Sequence, residues 1–264
     1  MTMTEQSSSS PAIHLRGVTK TYARRGDTDP LTIMEDMDLS VRPGELVTIV
    51  GPSGCGKSTI LKMINGLTPS TRGSIIFEPS NPTPRIGFVF QDYASALAPW
   101  RTVQKNVEFG LEIEGASTRS ERAEAAQKYI VMVGLAGFEN AYPRELSGGM
   151  QQRVQLARVL AYEPNVLLMD EPFGSLDAQI RRVLQEELRK ILDSLRRTVL
   201  FVTHDIEESL YLGDRTIVLS HRPARVLADF EQSARPTHFE EFVASASFRE
   251  RFKKIWTLLH GDQQ

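Results

Sequence analysis

Val47-Thr48-Ile49-Val50-Gly51-Pro52-Ser53-Gly54-Cys55-Gly56-Lys57-Ser58-Thr59-Ile60-Leu61 is the stretch that decides the fold. A short apolar run feeds three glycines, a lysine and two hydroxyls. Apolar residues then recur at helical spacing through Ile60, Leu61, Ile64 and Leu67, until Gly66 and Pro69 stop the helix. Strand, glycine loop and helix therefore come in the order that a G-x-x-x-x-G-K-[ST] phosphate loop requires. Gly51, Gly54 and Gly56 let the backbone turn sharply, so that successive N–H groups form an anion nest at a helix N-terminus. Lys57 supplies positive charge to β- and γ-phosphates, and Ser58 offers its hydroxyl to Mg²⁺. Pro52, Ser53, Cys55 and Thr59 complete the nucleotide-binding loop, with Cys55 read as a small filler in preference to a redox-sensitive thiol.

On the N-terminal side, Ile13–Tyr22 and Leu31–Val41 read as strands, separated by a charged turn from Arg24 to Pro30. On the C-terminal side, Ser74–Phe77 and Arg85–Phe90 read as strands. From Val103 to about Tyr162 the pattern turns helical, notably around Gln104–Val107 and Ser120–Val133. Strands return at Val166–Met169, Val199–Val202 and Thr216–Leu219, with a helix near Gln179–Leu195 between the first two. Such alternation implies a mostly parallel sheet covered on both faces. Phe248, Phe252, Ile255, Trp256 and Leu259 give the tail helical spacing, so Phe239–Leu259 reads as a helix packed on the core.

Two further groups of residues carry chemistry. Asp170-Glu171 end the apolar strand Val166–Met169; beside a phosphate loop, the first acid suits the Mg²⁺ shell and the second suits orienting or activating a water. His204 ends the apolar run Thr198–Thr203 on the same side of the sheet. Its position alone leaves a structural and a functional reading open.

Composition narrows the class. The 264 residues, 41% hydrophobic and 24% charged, fit one globular domain with an embedded subdomain. One cysteine excludes an intrachain disulfide, and a net charge of −2 speaks against a dedicated nucleic-acid binder. No apolar stretch approaches the roughly 20 residues of a membrane span. Residues 1–11, with four consecutive serines, read as a disordered leader.

From about Ile13 to Val226 the chain resembles, segment by segment, the ATP-binding subunits of ABC transporters. Leu146-Ser147-Gly148-Gly149-Met150-Gln151-Gln152-Arg153 matches the family signature. The resemblance implies that Ser147, Gly148 and Gly149 contact ATP held by an opposite subunit, and that Asp177 in Ser175-Leu176-Asp177 crosses the same interface. It makes Tyr22 the aromatic against adenine, Gln91 a Mg²⁺-sensing residue and metal ligand with Ser58 and Asp170, and His204 the switch histidine. It assigns catalysis to Glu171, His204 and Lys57. Ser175 stands where related importers often carry alanine.

The implied fold is α/β: a P-loop NTPase core with a mostly parallel central sheet, an N-terminal antiparallel β region and an inserted helical subdomain. The cassette would cover 12–230, the insert about 92–162, and a helical appendage 231–264. Gln91-Asp92-Tyr93 with Leu97–Val103, Met169–Ala178, and Phe201–Asp205 leading to Pro223 narrow the likeness to nitrate, sulfonate and taurine importers. The implied cofactors are ATP and Mg²⁺. The implied partners are a second copy, membrane permease subunits and an external substrate-binding protein, with no nucleic acid, at the cytoplasmic face of the inner membrane. Trp100 reads equally as a docking residue for the permease or as core packing. The roughly hundred residues between loop and signature hold no sustained heptads, which argues against a coiled-coil chromosome ATPase. A single cassette argues against a tandem translation-type protein.

Overall fold

A computed structural model of the chain describes residues 12–23, 29–81, 83–114, 118–174, 176–232 and 238–261. The serine-rich leader, most of the charged turn after Tyr22, and Ser175 lie outside the described residues.

Two sheets share the core. Strands β1 (Ala12–Tyr22), β2 (Leu31–Val41) and β4 (Arg72–Glu78) form an antiparallel sheet in the order β2-β1-β4. The central sheet takes β3 (Leu46–Val50), β5 (Ile86–Val89), β6 (Val166–Asp170), β7 (Thr198–Thr203), β8 (Arg215–Leu219) and β9 (Val226–Glu231). Their order is β5-β6-β7-β3-β8-β9. All pairings are parallel except β8 with β9. Every residue of β3, β6, β7 and β8 is buried, as expected of parallel strands covered on both faces.

Alternation along β6 and β7 assigns the two faces. Val166 and Leu168, with Leu200 and Val202, join a core with the antiparallel strands and α1 (Lys57–Ile64). Leu167 and Met169, with Val199 and Phe201, face a second core. The insert between β5 and β6 comprises α2 (Tyr93–Ala96), α3 (Val103–Glu114), α4 (Arg119–Met132) and α5 (Gly148–Ala161), and its last three helices build that core. The core is completed by α6 (Ala178–Leu195). The insert begins cleanly because Asn106 is fully buried and fastens the chain before α3, accepting from Ala98 N–H and donating to the carbonyls of Ala98, Arg101 and Thr102. Thr118 and Glu121 form a reciprocal capping box at the head of α4.

Several elements differ from the sequence reading, the short helix α2 among them. Helix α7 (Ile206–Leu212) and strand β9 are additions. The tail helix breaks at Ser245 into α8 (Phe239–Ala244) and α9 (Ala246–His260), because Ser245 Oγ accepts from Phe248 N–H and caps a new helix. Phe248 and Ile255 of α9 are buried against Ile206 and Leu210 of α7, with Val50 and Val218 beneath. No helix of the described residues is long and apolar enough to cross a membrane.

Candidate functional site

The loop between β3 and α1 is shaped by glycine where no other residue fits. Gly56 sits at φ 122°, and a Cβ there would lie 2.6 Å from Ile33 Cγ2 on β2. Gly54 is left-handed at φ 73°. Gly56 is also the N-cap of α1, and no side chain caps the helix, so its first N–H groups face into the loop. Lys57 is buried, with Nζ donating to Gly51 O (2.8 Å) and Pro52 O (3.1 Å). Cys55 is buried, and burial pushes its thiol up against the opposing pull of Lys57, which favours the thiol over the thiolate.

β6 and β7 bring the acids and the histidine to this loop. Asp170 Oδ1 accepts from Ser58 Oγ at 2.8 Å. Burial pushes the Asp170 carboxyl up; the Ser58 hydroxyl opposes the shift, and the neighbouring Glu171 charge adds to it. Glu171 lies in left-handed backbone at φ 44°, held by its N–H on Val202 O and by Gly174 N–H on its own carbonyl. A non-glycine residue in that region is strained and persists only where its neighbours fix it, as at functional sites. Its two carboxylate oxygens are divided: Oε1 lies 3.8 Å from Lys57 Nζ, and Oε2 lies 2.9 Å from His204 Nδ1. Loop, acid and histidine thus form one linked cluster.

The remaining residues sit around it. Gln91 follows β5, where Gln155 of α5 donates to Phe90 O; its amide faces the Glu171 turn, since a Cβ on Gly174 would lie 3.7 Å from both Gln91 Nε2 and Glu171 Oε2. Asp177 caps α6, accepting from Ile180 N–H, and is exposed. Tyr22 ends β1 with its ring 40% exposed and Lys20 Nζ 4.6 Å from the ring centroid. Ser147 is exposed and caps α5 by accepting from Met150 N–H, while Gly149 is buried against Ile180 and Leu184 of α6. Among the described residues, no hydrogen bond or ion pair joins Ser147, Gly148 or Gly149 to the chain's own phosphate loop. Thr59 follows Ser58 in the first turn of α1.

One cation was absent from the sequence reading. Arg222, in the turn after β8, brings Nη2 within 3.3 Å of where a Cβ on Gly54 would lie. The loop edge therefore carries a second positive charge besides Lys57. Trp100 is 77% exposed, which removes the core-packing reading.

The family described as ABC transporter matches residues 34–174. An ABC transporter ATP-binding protein of Methanocaldococcus jannaschii is 46% identical over 95% of this chain and 92% of its own length. An aliphatic sulfonates import ATP-binding protein of Bacillus cereus is 38% identical, covering 92% and 94%. A nitrate import ATP-binding protein of Synechocystis is 46% identical over 76% of each chain. Among solved structures, the dimeric structure of a bacterial ABC transporter cassette superposes with a TM-score of 0.71 at 34% identity, covering 84% of this chain and 99% of that one. With glycine loop, paired acids and histidine already gathered at one end of the parallel sheet, these likenesses establish that the chain belongs to the ABC transporter family, as an ATP-binding and ATP-hydrolysing subunit.

Proposed function

We propose that two copies of this chain close on two ATP molecules and drive a membrane permease that imports a small anion: a sulfonate, taurine, nitrate or a related compound. The observation that carries the dimer is the separation of the two half-sites. One half gathers loop, acids and histidine. The other, Ser147–Gly149, presents an exposed hydroxyl and a helix N-terminus with no bond to the same chain's loop. In the dimer, Asp177 would lie at the shared face. A solved structure of a similar bacterial cassette is dimeric, and another is of that cassette in a dimeric post-hydrolysis state bound to ADP and Pi.

Within each site, the loop N–H groups and Lys57 bind the triphosphate, and Tyr22 stacks on the adenine. Glu171 orients the attacking water and takes its proton as the water oxygen bonds to the γ-phosphorus and the bond to the β-phosphate oxygen breaks. His204 holds the Glu171 carboxylate in position through Nδ1. Ser58, Asp170 and Gln91 would hold Mg²⁺. A hydroxyl bonded to a partly buried carboxylate is an all-oxygen set that suits this ion, and no group of three or more acidic, histidine or cysteine ligands occurs among the described residues, which leaves phosphate oxygens to fill the shell. Bound there, Mg²⁺ supplies positive charge against the β- and γ-phosphates.

The permease would dock at Trp100 and the neighbouring Gln91 turn, and an external binding protein would deliver the cargo. This puts the chain on the cytoplasmic face of the membrane as a peripheral subunit. The anion class is supported by relatives named for sulfonate and nitrate import. Glu171→Gln tests the hydrolytic reading: turnover should fall by about 100-fold or more while ATP binding persists and a dimer accumulates on size exclusion with ATP. Wild-type turnover in that variant would remove Glu171 from the reaction. Uptake of labelled taurine, longer alkanesulfonates and nitrate, compared between cells with the native chain and cells with Lys57→Ala, names the cargo.

A further inference from the structure

Helix α6 carries a row of polar side chains where a surface helix would turn outward. Arg181, Gln185 and Arg189 recur at i, i+4 and i+8 and therefore share one face. Gln185 and Arg189 are buried. All three reach α7 or its N-terminal loop. Arg181 Nη1 lies 3.6 Å from Asp205 Oδ2, the residue that caps α7 by accepting from Glu208 N–H. Gln185 Nε2 donates to Glu208 Oε1 at 2.8 Å. Arg189 Nη1 donates to Tyr211 O and Leu212 O, both at 2.7 Å, and so satisfies carbonyls at the far end of α7. The ladder grips α7 at its head, middle and tail.

The heads of these helices matter. α6 begins at the interface loop: Asp177 is its N-cap, and Arg181 Nη2 donates back to Leu176 O at 2.9 Å. α7 begins two residues after His204, with Asp205 between them as its N-cap, and His204 holds Glu171. The first turns of α6 also pack on the signature, where a Cβ on Gly149 would lie 3.2 Å from Ile180 Cγ2 and 3.7 Å from Leu184 Cδ1. Gln185 and Arg189 are buried and paired, and such groups are expensive to separate, so the two helices move together more readily than they part.

We propose that the Arg181–Gln185–Arg189 ladder makes α6 and α7 one body, in which Arg181 is the positioning residue that transmits a shift of the Leu176–Asp177 loop to His204. The inference rests on the dimer reading above, because the second copy is what would displace that loop. It deepens that reading: contact at the shared face reaches the hydrolytic glutamate of the same chain through α6, the head of α7 and His204.

The test uses the full chain with Arg181→Gln, Arg181→Lys, Asp205→Asn, and the double variant Arg181→Gln/Asp205→Asn. Asparagine keeps the α7 cap while removing the charge that Arg181 meets. The expected result is a fall in kcat of about tenfold for Arg181→Gln with KM for ATP within about twofold, and recovery to within about threefold of wild type for Arg181→Lys. The double variant should be no slower than the slower single one, as expected of two residues acting through one contact. In a Glu171→Gln background, Arg181→Gln should still dimerise with ATP. Wild-type kcat in Arg181→Gln, additive losses in the double variant, or a matching rise in KM with loss of the dimer would each overturn the inference. If Glu171→Gln alone fails to dimerise with ATP, the dimer reading itself has failed, and this inference falls with it.

Discussion

Two helix N-termini in this molecule are assigned to phosphate in the proposed dimer, and they are built differently. α1 opens on Gly56, has no side-chain cap, and holds a buried lysine with two acids close by. α5 opens on Ser147, whose hydroxyl already caps the helix, and carries neither an acid nor a base in its first turn before Met150-Gln151. The first terminus concentrates formal charge, which a nucleotide's phosphates would meet without a partner surface. The second offers only N–H dipoles and a hydroxyl, worth little against water until a partner surface removes the solvent. Affinity for ATP should therefore reside in the α1 half, and the α5 half should decide whether bound ATP is hydrolysed.

Lys57→Ala is the strongest way to break that contrast. Removing a buried, charge-assisted donor should cost about 100-fold or more in both ATP affinity and turnover. Titration with a fluorescent ATP analogue checks the affinity. Retention of wild-type affinity would mean that Arg222, at the other edge of the loop, carries the triphosphate instead.

Ser147→Asp sharpens the contrast from the other side. Aspartate caps a helix about as well as serine, so α5 should remain intact by circular dichroism. It also sets a negative charge where the partner's γ-phosphate would lie. ATP binding to the single chain should stay within about twofold, whereas kcat should drop by about tenfold to 100-fold and the Glu171→Gln dimer should no longer form. Equal losses of binding and turnover would show that the signature serves its own chain's nucleotide, contrary to the geometry.

The two halves also differ in how far the sequence alone discloses them. The α1 loop is legible because its chemistry is local: three glycines, Lys57 and Ser58 act within nine residues, and the strand before them is a continuous apolar run. Asp170 and Glu171 were legible because they end a buried strand beside that loop, whereas the position of His204 after β7 left two readings open and only the family resemblance assigned it a role. That Glu171 bridges Lys57 and His204 was not, because the bridge joins three separate strand ends. Arg222 was missed since its approach to Gly54 runs through the turn after β8. α7 is too short for a helical period to show, although Asp205 followed three residues later by Glu208 is a cap signal that could have revealed it. β9 is an antiparallel strand at the sheet edge whose alternating exposure weakens its apolar pattern. The ladder on α6 defeats pattern reading most completely: arginines and glutamine at helical spacing imply a solvent face, yet two of the three are buried against α7.

That buried seam supplies the smallest expected effect, and it separates the packed interior from both phosphate-facing termini. Glu208 is 4% exposed, and burial pushes its carboxyl up to about 7, with Asp205 adding to the rise while Thr203, Gln185 and Arg181 oppose it. In the unfolded chain the same group ionises in the ordinary carboxylate range. Its stabilising contribution is therefore full at low pH, where both states hold the proton. It declines as the unfolded chain ionises first, and is lost as pH rises through about 7. Glu208→Gln keeps an acceptor for Gln185 and cannot ionise. Its melting temperature should match wild type near pH 4 and exceed it by a few degrees near pH 8, on the order of 1–3 kcal/mol. Every other titrating group is common to both proteins, so the difference between the two melting curves isolates this one. A difference that stays flat from pH 4 to pH 8 would mean that Glu208 is ionised throughout, and that Arg181 and Gln185 stabilise a buried charge at the head of α7 rather than a neutral acid.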